Sequence, residues 1–184
     1  MDGAARARLR DLIDREAITR GDFVLSSGKR SSYYVDLRRI SLSPEGAYLA
    51  ALAVLDLITD IEIEAIGGPI AAAVPVVAAT VAISYQLGRP LRGFMVRKEA
   101  KAHGAGRQIE GPFAPGMRVA VIDDTTTTGG SLLWAIDAVE RAGGTVVLVG
   151  ALLDREEGAA EVFRARGYHY RSVFSIHQFD VAPR

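Results

Sequence analysis

The sequence predicts an α/β fold in one domain, built around a parallel sheet. From Ala65 onward, short apolar runs alternate with helical stretches of about ten residues or more, the pattern of βαβ units. The 184 residues, 49% apolar and 24% charged, suit one globular unit that buries roughly two-thirds of its unfolded surface. Internal repeats, low-complexity tracts and linkers are absent.

Each element has a local reason. Ala4 to Ala17 sets Leu9, Leu12 and Ile13 on one side of a charged stretch, an amphipathic helix. Phe23-Val24-Leu25 and Tyr33-Tyr34-Val35 read as two strands around a turn at Ser26 to Lys29. Ser43 as N-cap and Pro44 at the first helical position open a helix to Ile58. Then follow a strand at Ala65-Ile66, a helix over Val74 to Gln86, and strands over Leu91 to Val96 and Arg118 to Ile122. A helix over Ser131 to Ala142, a strand over Thr145 to Leu153, a helix over Glu156 to Arg166 and a strand over Tyr170 to Ser175 complete the series.

Composition excludes several classes. Acidic and basic residues balance at 22 each, so bulk attraction to nucleic acid or anionic lipid has no support. The lack of cysteine excludes disulfides and thiolate zinc sites. Charges in the first eleven residues stand where a signal peptide needs an apolar core. Ala65 to Gly88 carries no charge and is long enough to span a bilayer, but Gly67-Gly68-Pro69 and Pro75 interrupt it. A buried strand, a tight loop and a buried helix explain it better. The expectation is a cytoplasmic protein with neither membrane nor nucleic-acid partner.

In a parallel sheet, ligands bind beyond the carboxyl ends of the strands, which directs attention to the loops after Ile66, Val96 and Ile122. The third reads Asp123-Asp124-Thr125-Thr126-Thr127-Thr128-Gly129-Gly130-Ser131. Glycines turn backbone N–H groups toward an anion, and a following helix N-terminus adds about half a positive charge. Threonine hydroxyls donate to phosphate, while carboxylates suit sugar hydroxyls or a hydrated divalent cation. Phosphate and diol together describe a phosphorylated sugar. Helix capping would explain one or two of these polar residues, not the whole run. A Walker A loop and the spaced glycines of a dinucleotide fingerprint are both missing.

The second loop gathers Arg97, Lys98, Lys101, His103 and Arg107 among small residues and glycines; two of the chain's three lysines lie here. A mobile cationic lid of this kind neutralises a pyrophosphate leaving group and excludes water. A solvated basic loop is the plainer alternative.

These motifs carry a resemblance. The Ile122 loop resembles the phosphoribosyl-pyrophosphate (PRPP) motif of type I phosphoribosyltransferases. Arg97-Lys98-Glu99-Ala100-Lys101-Ala102-His103-Gly104, followed by Ile109-Glu110-Gly111, is similar to the catalytic loop of the orotate phosphoribosyltransferase family. The resemblance runs from about Ile18 to Ile176. It implies a Rossmann-like parallel sheet flanked by helices, with an N-terminal hood over residues 1–42 and a core over 43–184. It also implies transfer of a phosphoribosyl group from PRPP to orotate, with Mg²⁺, giving orotidine 5′-phosphate and pyrophosphate in pyrimidine synthesis.

Carried over by position, Arg97, Lys98, Lys101 and His103 contact the pyrophosphate of PRPP, from a 97–111 loop shared across a homodimer. Asp123 and Asp124 hold the ribose hydroxyls and stand near the water-bridged magnesium. Thr125, Thr126, Thr127, Thr128, Gly129, Gly130 and Ser131 wrap the 5′-phosphate. Tyr34, Thr127 and Arg155 meet orotate, Arg155 through its carboxylate. Taken alone, Arg155 is as readily a surface arginine, and Tyr33-Tyr34 as readily sheet packing. Two family lysines are replaced, by Ala72 in the Gly67 to Pro75 segment and by Ser26 in the hood. Those losses keep one rival open, transfer to another nucleobase; a second, a PRPP-sensing regulator that contacts nucleic acid, is opposed by the zero net charge and by the Lys98, Lys101 and His103 lid.

Overall fold

The structure, a computed structural model, describes residues 1–24, 30–99 and 108–181. Its elements in chain order are α1 (Gly3–Leu12), a π-helical turn (Ile13–Ala17), β1 (Ile18–Val24), β2 (Arg30–Val35), α2 (Arg38–Ser41) and α3 (Pro44–Leu57). Then come β3 (Ala65–Pro69), α4 (Ala73–Gln86), β4 (Arg92–Val96), β5 (Ile109–Glu110), β6 (Arg118–Thr126) and α5 (Gly130–Arg141). β7 (Thr145–Asp154), α6 (Ala159–Ala165), β8 (Tyr170–Ser175) and a 3₁₀ turn (Ile176–Gln178) end the described chain.

Six strands form one sheet in the order β5-β4-β3-β6-β7-β8, with only β5 antiparallel to its neighbour. The uninterrupted apolar run Val119 to Ile122 reflects a strand buried on both faces. Ala120 and Ile122 pack into a core with Leu9, Leu49, Val54 and Val76 of α1, α3 and α4. Val119 and Val121 point the other way, toward Leu132, Ile136 and Val139 of α5 and Phe163 of α6. Period-two alternation thus makes three layers, helices on both sides of the sheet.

The uncharged Ala65 to Gly88 stretch divides into β3 and α4, and no helix among the described residues is long and apolar enough to cross a membrane. Ser43 caps α3 as its sequence predicts, its hydroxyl accepting from the Gly46 N–H with Pro44 in the first turn.

β1 and β2 pair antiparallel as a separate two-stranded sheet. Arg20 donates to the Asp180 carbonyl and Ser32 to the Val181 carbonyl, tying this hairpin to the end of the described chain. The expected turn at 26–29 lies outside the described residues.

Several boundaries differ from the sequence reading. The first helix stops at Leu12 and passes into the π turn. β3 continues through Gly67-Gly68-Pro69, because glycines there let neighbours close in. A Cβ on Gly67 would overlap the Phe94 ring, and one on Gly68 would overlap the Ile122 carbonyl oxygen. β6 runs four residues past Ile122, pairing Asp123 with Ala151 and Thr126 with Asp154 of β7. α6 starts at Ala159, not Glu156, because Gly158 takes φ 104° and Glu156 takes φ 55°, both left-handed. The short α2 and β5 carry no sequence periodicity long enough to announce them.

The chain runs outward from β3 to β4, then returns to β6 on the other side of β3. That reversal opens a crevice at the carboxyl ends of β3 and β6, where such sheets bind ligands. The ladder between these strands ends at Gly67 and Val121. Gly68→Ala is expected to force β3 and β6 apart at this point and cost about 1–3 kcal/mol, as overpacking does. A urea titration against the parent chain measures it.

Candidate active site

Asp123 and Asp124 stand on the β6 side of this crevice, 6% and 7% exposed. Both are held by local bonds. Asp123 accepts from the Asp124 N–H (2.9 Å) and the Ser131 hydroxyl (2.8 Å), and Asp124 accepts from the Thr125 N–H (2.6 Å). Burial disfavours the charged carboxylate, and each aspartate is raised above its ordinary value. Asp123 is pushed up to about 7 by burial first and then by the Asp124 charge. Two desolvated carboxylates side by side invite hydroxyl donors or a cation. Arg38, bidentate to Asp36 at 2.7 and 3.1 Å, draws Asp124 partly back toward ionisation.

Beyond β6, Gly129 adopts φ 82° and caps α5 without a side-chain cap hydrogen bond among the described residues. Those donors are left for an anion. Thr127 is half-buried, Thr128 and Gly130 are exposed, and Thr125 is partly so. Thr126 departs from the expected phosphate shell. Its place in the β6 ladder turns the side chain inward, 2% exposed, and its Oγ1 finds no hydrogen-bond partner among the described residues. Ser131 spends its hydroxyl on Asp123.

One strand over, Arg155 follows the end of β7. Its N–H donates to the Thr126 carbonyl (2.9 Å), so it is fixed directly beside the Asp-Thr segment. Its side chain is only 12% exposed, which removes the surface-arginine alternative. The guanidinium lies 4.9 Å from the Tyr33 ring centre, donates to the Tyr33 hydroxyl at 3.3 Å and pairs with Glu157 at 2.9 Å. Tyr33 therefore faces the site through Arg155, while Tyr34 is 44% exposed, its ring centre 6.1 Å from that of Phe23.

The cationic loop is anchored but only partly described. Val96 pairs with Ile109, the Arg97 N–H donates to the Gln108 carbonyl, and the Arg97 side chain is held by Glu110 at 2.6 Å. Arg97 is thus a paired strut at the foot of the loop. Lys98 is exposed. Lys101, His103, Arg107 and Ser26 lie outside the described residues. On the β3 side the chain turns at Ile70 to Ala72, with a cis bond between Ile70 and Ala71.

Sequence reasoning overlooked Glu157, Tyr33 as a partner of Arg155, and the Asp36–Arg38 pair. The Asp154-Arg155-Glu156-Glu157 run held a signal for the first: an arginine so close to carboxylates rarely stays unpaired.

Among the described residues no three His, Cys, Asp or Glu side chains gather to hold a metal. The Asp123–Asp124 pair suits a cation coordinated mainly by a bound ligand and water.

No protein-family model matches the chain. A curated relative from Streptomyces avermitilis, named orotate phosphoribosyltransferase, is 46% identical over 175 residues, 95% of this chain and 96% of its own. A crystal structure of the Mycobacterium tuberculosis H37Rv orotate phosphoribosyltransferase with Fe(III) dicitrate superposes at a TM-score of 0.84 with 43% identity, covering 94% of this chain and 97% of that one. The structure of the same enzyme with PRPP gives a TM-score of 0.81 and 40% identity over 94% of this chain and 97% of that one. Likeness at this level covers nearly the whole chain, and the chain belongs to the orotate phosphoribosyltransferase family.

Proposed function

We propose that this chain transfers the phosphoribosyl group of PRPP to orotate, releasing pyrophosphate and orotidine 5′-phosphate. The observation that carries the reading is Arg155, a nearly buried guanidinium bonded through its backbone to Thr126. It sets a carboxylate receptor one strand from a pair of buried carboxylates and a free helix N-terminus. A base bearing a carboxylate and a sugar bearing a phosphate fit that neighbourhood together.

The N-terminal N–H groups of α5, with the exposed Thr128, receive the 5′-phosphate, and the ribose hydroxyls donate to Asp123 and Asp124. Arg155 and Thr127 orient the orotate ring, with Tyr34 against its face. Orotate is an anionic nucleophile at its ring nitrogen, so the protein's work is positioning as an oxocarbenium-like centre forms. Lys98, Lys101 and His103 hold the departing pyrophosphate from the 97–111 loop, which reaches across a homodimer. Asp123 and Asp124 would stand beside a water-bridged magnesium, which when bound neutralises pyrophosphate charge. The lack of cysteine fits a cytoplasmic setting.

Loss of orotate's ultraviolet absorbance on adding PRPP and Mg²⁺, stopped by a chelator, is the expected result with purified protein. PRPP binding without that loss would reassign the base. Lys101→Ala is expected to lower kcat about a hundredfold or more with an unchanged melting temperature, the scale of a lost transition-state contact. Turnover at the parent rate would remove the lid role.

Asp123 ties function to stability with a definite sign. Its folded-state value of about 7 lies above the ordinary carboxylate range, so its contribution is complete below about pH 4 and lost as pH rises through 7. Asp123→Asn is therefore expected to raise the ligand-free melting temperature at pH 8 by about 2–4 °C. The same variant loses PRPP affinity by calorimetry. A lower melting temperature would contradict the buried-charge account.

A further inference from the structure

Glu157 has no part in the chemistry above, yet it holds the group that the base needs. Its carboxylate pairs with Arg155 at 2.9 Å, and it is itself 38% exposed where the arginine is 12% exposed. The backbone around it is pinned from several directions. Asp154 accepts from the Glu156 N–H (2.7 Å) and from the Tyr170 hydroxyl (2.9 Å), and the Arg155 N–H is bonded to Thr126. The Glu156 carboxylate takes the Ser175 hydroxyl and lies 3.1 Å from His177 Nε2. Tyr33 covers one face of the guanidinium. With its neighbours so fixed, the Glu157 side chain, over a third exposed, can swing into water without breaking any of those bonds.

We propose that Glu157 is an internal stand-in for the carboxylate of the base, pairing with Arg155 in the empty site and yielding it when a carboxylated pyrimidine enters. The inference rests on the orotate reading. A nearly buried guanidinium without a partner is costly, so Glu157 keeps the empty site satisfied. A carboxylated base then exchanges one charge-assisted pair for another. The consequence is a site that binds its carboxylated ligand less tightly than Arg155 alone would allow, and lets it go more readily. Glu157 is a specificity and positioning residue, since it acts through Arg155.

Orotidine 5′-phosphate and uridine 5′-phosphate differ only in the ring carboxylate, and neither reacts without pyrophosphate. Calorimetric titration of each into the parent chain and Glu157→Gln, at low salt, isolates the exchange. The glutamine is isosteric and its position is over a third exposed, so the fold is retained. Glu157→Gln is expected to bind orotidine 5′-phosphate about two- to fivefold more tightly, the range of a partly screened ion pair. Its affinity for uridine 5′-phosphate is expected to stay the same. Unchanged or weaker orotidine 5′-phosphate binding would show that Glu157 merely orients Arg155, and equal tightening of both nucleotides would show a general charge effect; each overturns the stand-in. A parent chain that does not prefer orotidine 5′-phosphate over uridine 5′-phosphate overturns the orotate reading itself, and this inference with it.

Discussion

The site depends on two neighbouring carboxylates buried at the end of a parallel strand. Water would stabilise their charge far better than the protein does, so they persist only because the rest of the fold stabilises their position. Apolar packing on both faces of β6 holds the strand, the β7 ladder extends past Asp123 to Thr126, and the Ser131 hydroxyl supplies one compensating bond. The cost is not fully offset, as the upward shift of both aspartates shows. Hydroxyl donors or a cation beside the pair would supply the compensation that the protein itself does not.

The crevice itself comes from topology. Because the chain leaves β3 toward β4 and then returns to β6, the loops that follow β3 and β6 diverge at the same end of the sheet. The glycines of β3 bring that strand against Ile122, so the loop at Ile70 to Ala72 faces the loop of β6. Arg155 enters from the adjacent β7, and Tyr33 from the separate hairpin. Four stretches far apart in sequence meet because three of them leave neighbouring strands in one direction.

Much of this was legible in the residues. Val119 to Ile122 is too continuously apolar to be anything but a doubly buried strand, and Ser43-Pro44 marks a helix start by its chemistry. The Asp-Asp-Thr run pointed to the crevice at the end of β6, because capping alone does not need so many polar groups. What stayed hidden depended on neighbours distant in sequence. Gly67-Gly68-Pro69 looks like a loop until Phe94 and Ile122 are seen to need the space of the missing side chains. Thr126 looks like its three fellow threonines until strand pairing turns it inward. Arg155 looked equally like a surface residue because Tyr33 lies in another sheet, and local pattern holds no record of that meeting.

The hydrogen bond from the Arg155 N–H to the Thr126 carbonyl has an architectural consequence. Adjacent strands lie about 4.8 Å apart, a spacing fixed by the peptide group itself. The gap between Arg155 and the loop that follows β6 is thus measured in units of backbone, which side-chain replacement scarcely alters. Substitutions in the surrounding helices can therefore leave that gap unchanged. A single-residue insertion in the paired part of β7 is a different matter: it turns Arg155 to the opposite face of the sheet in one step. The enzyme's yardstick tolerates substitution and forbids miscounting.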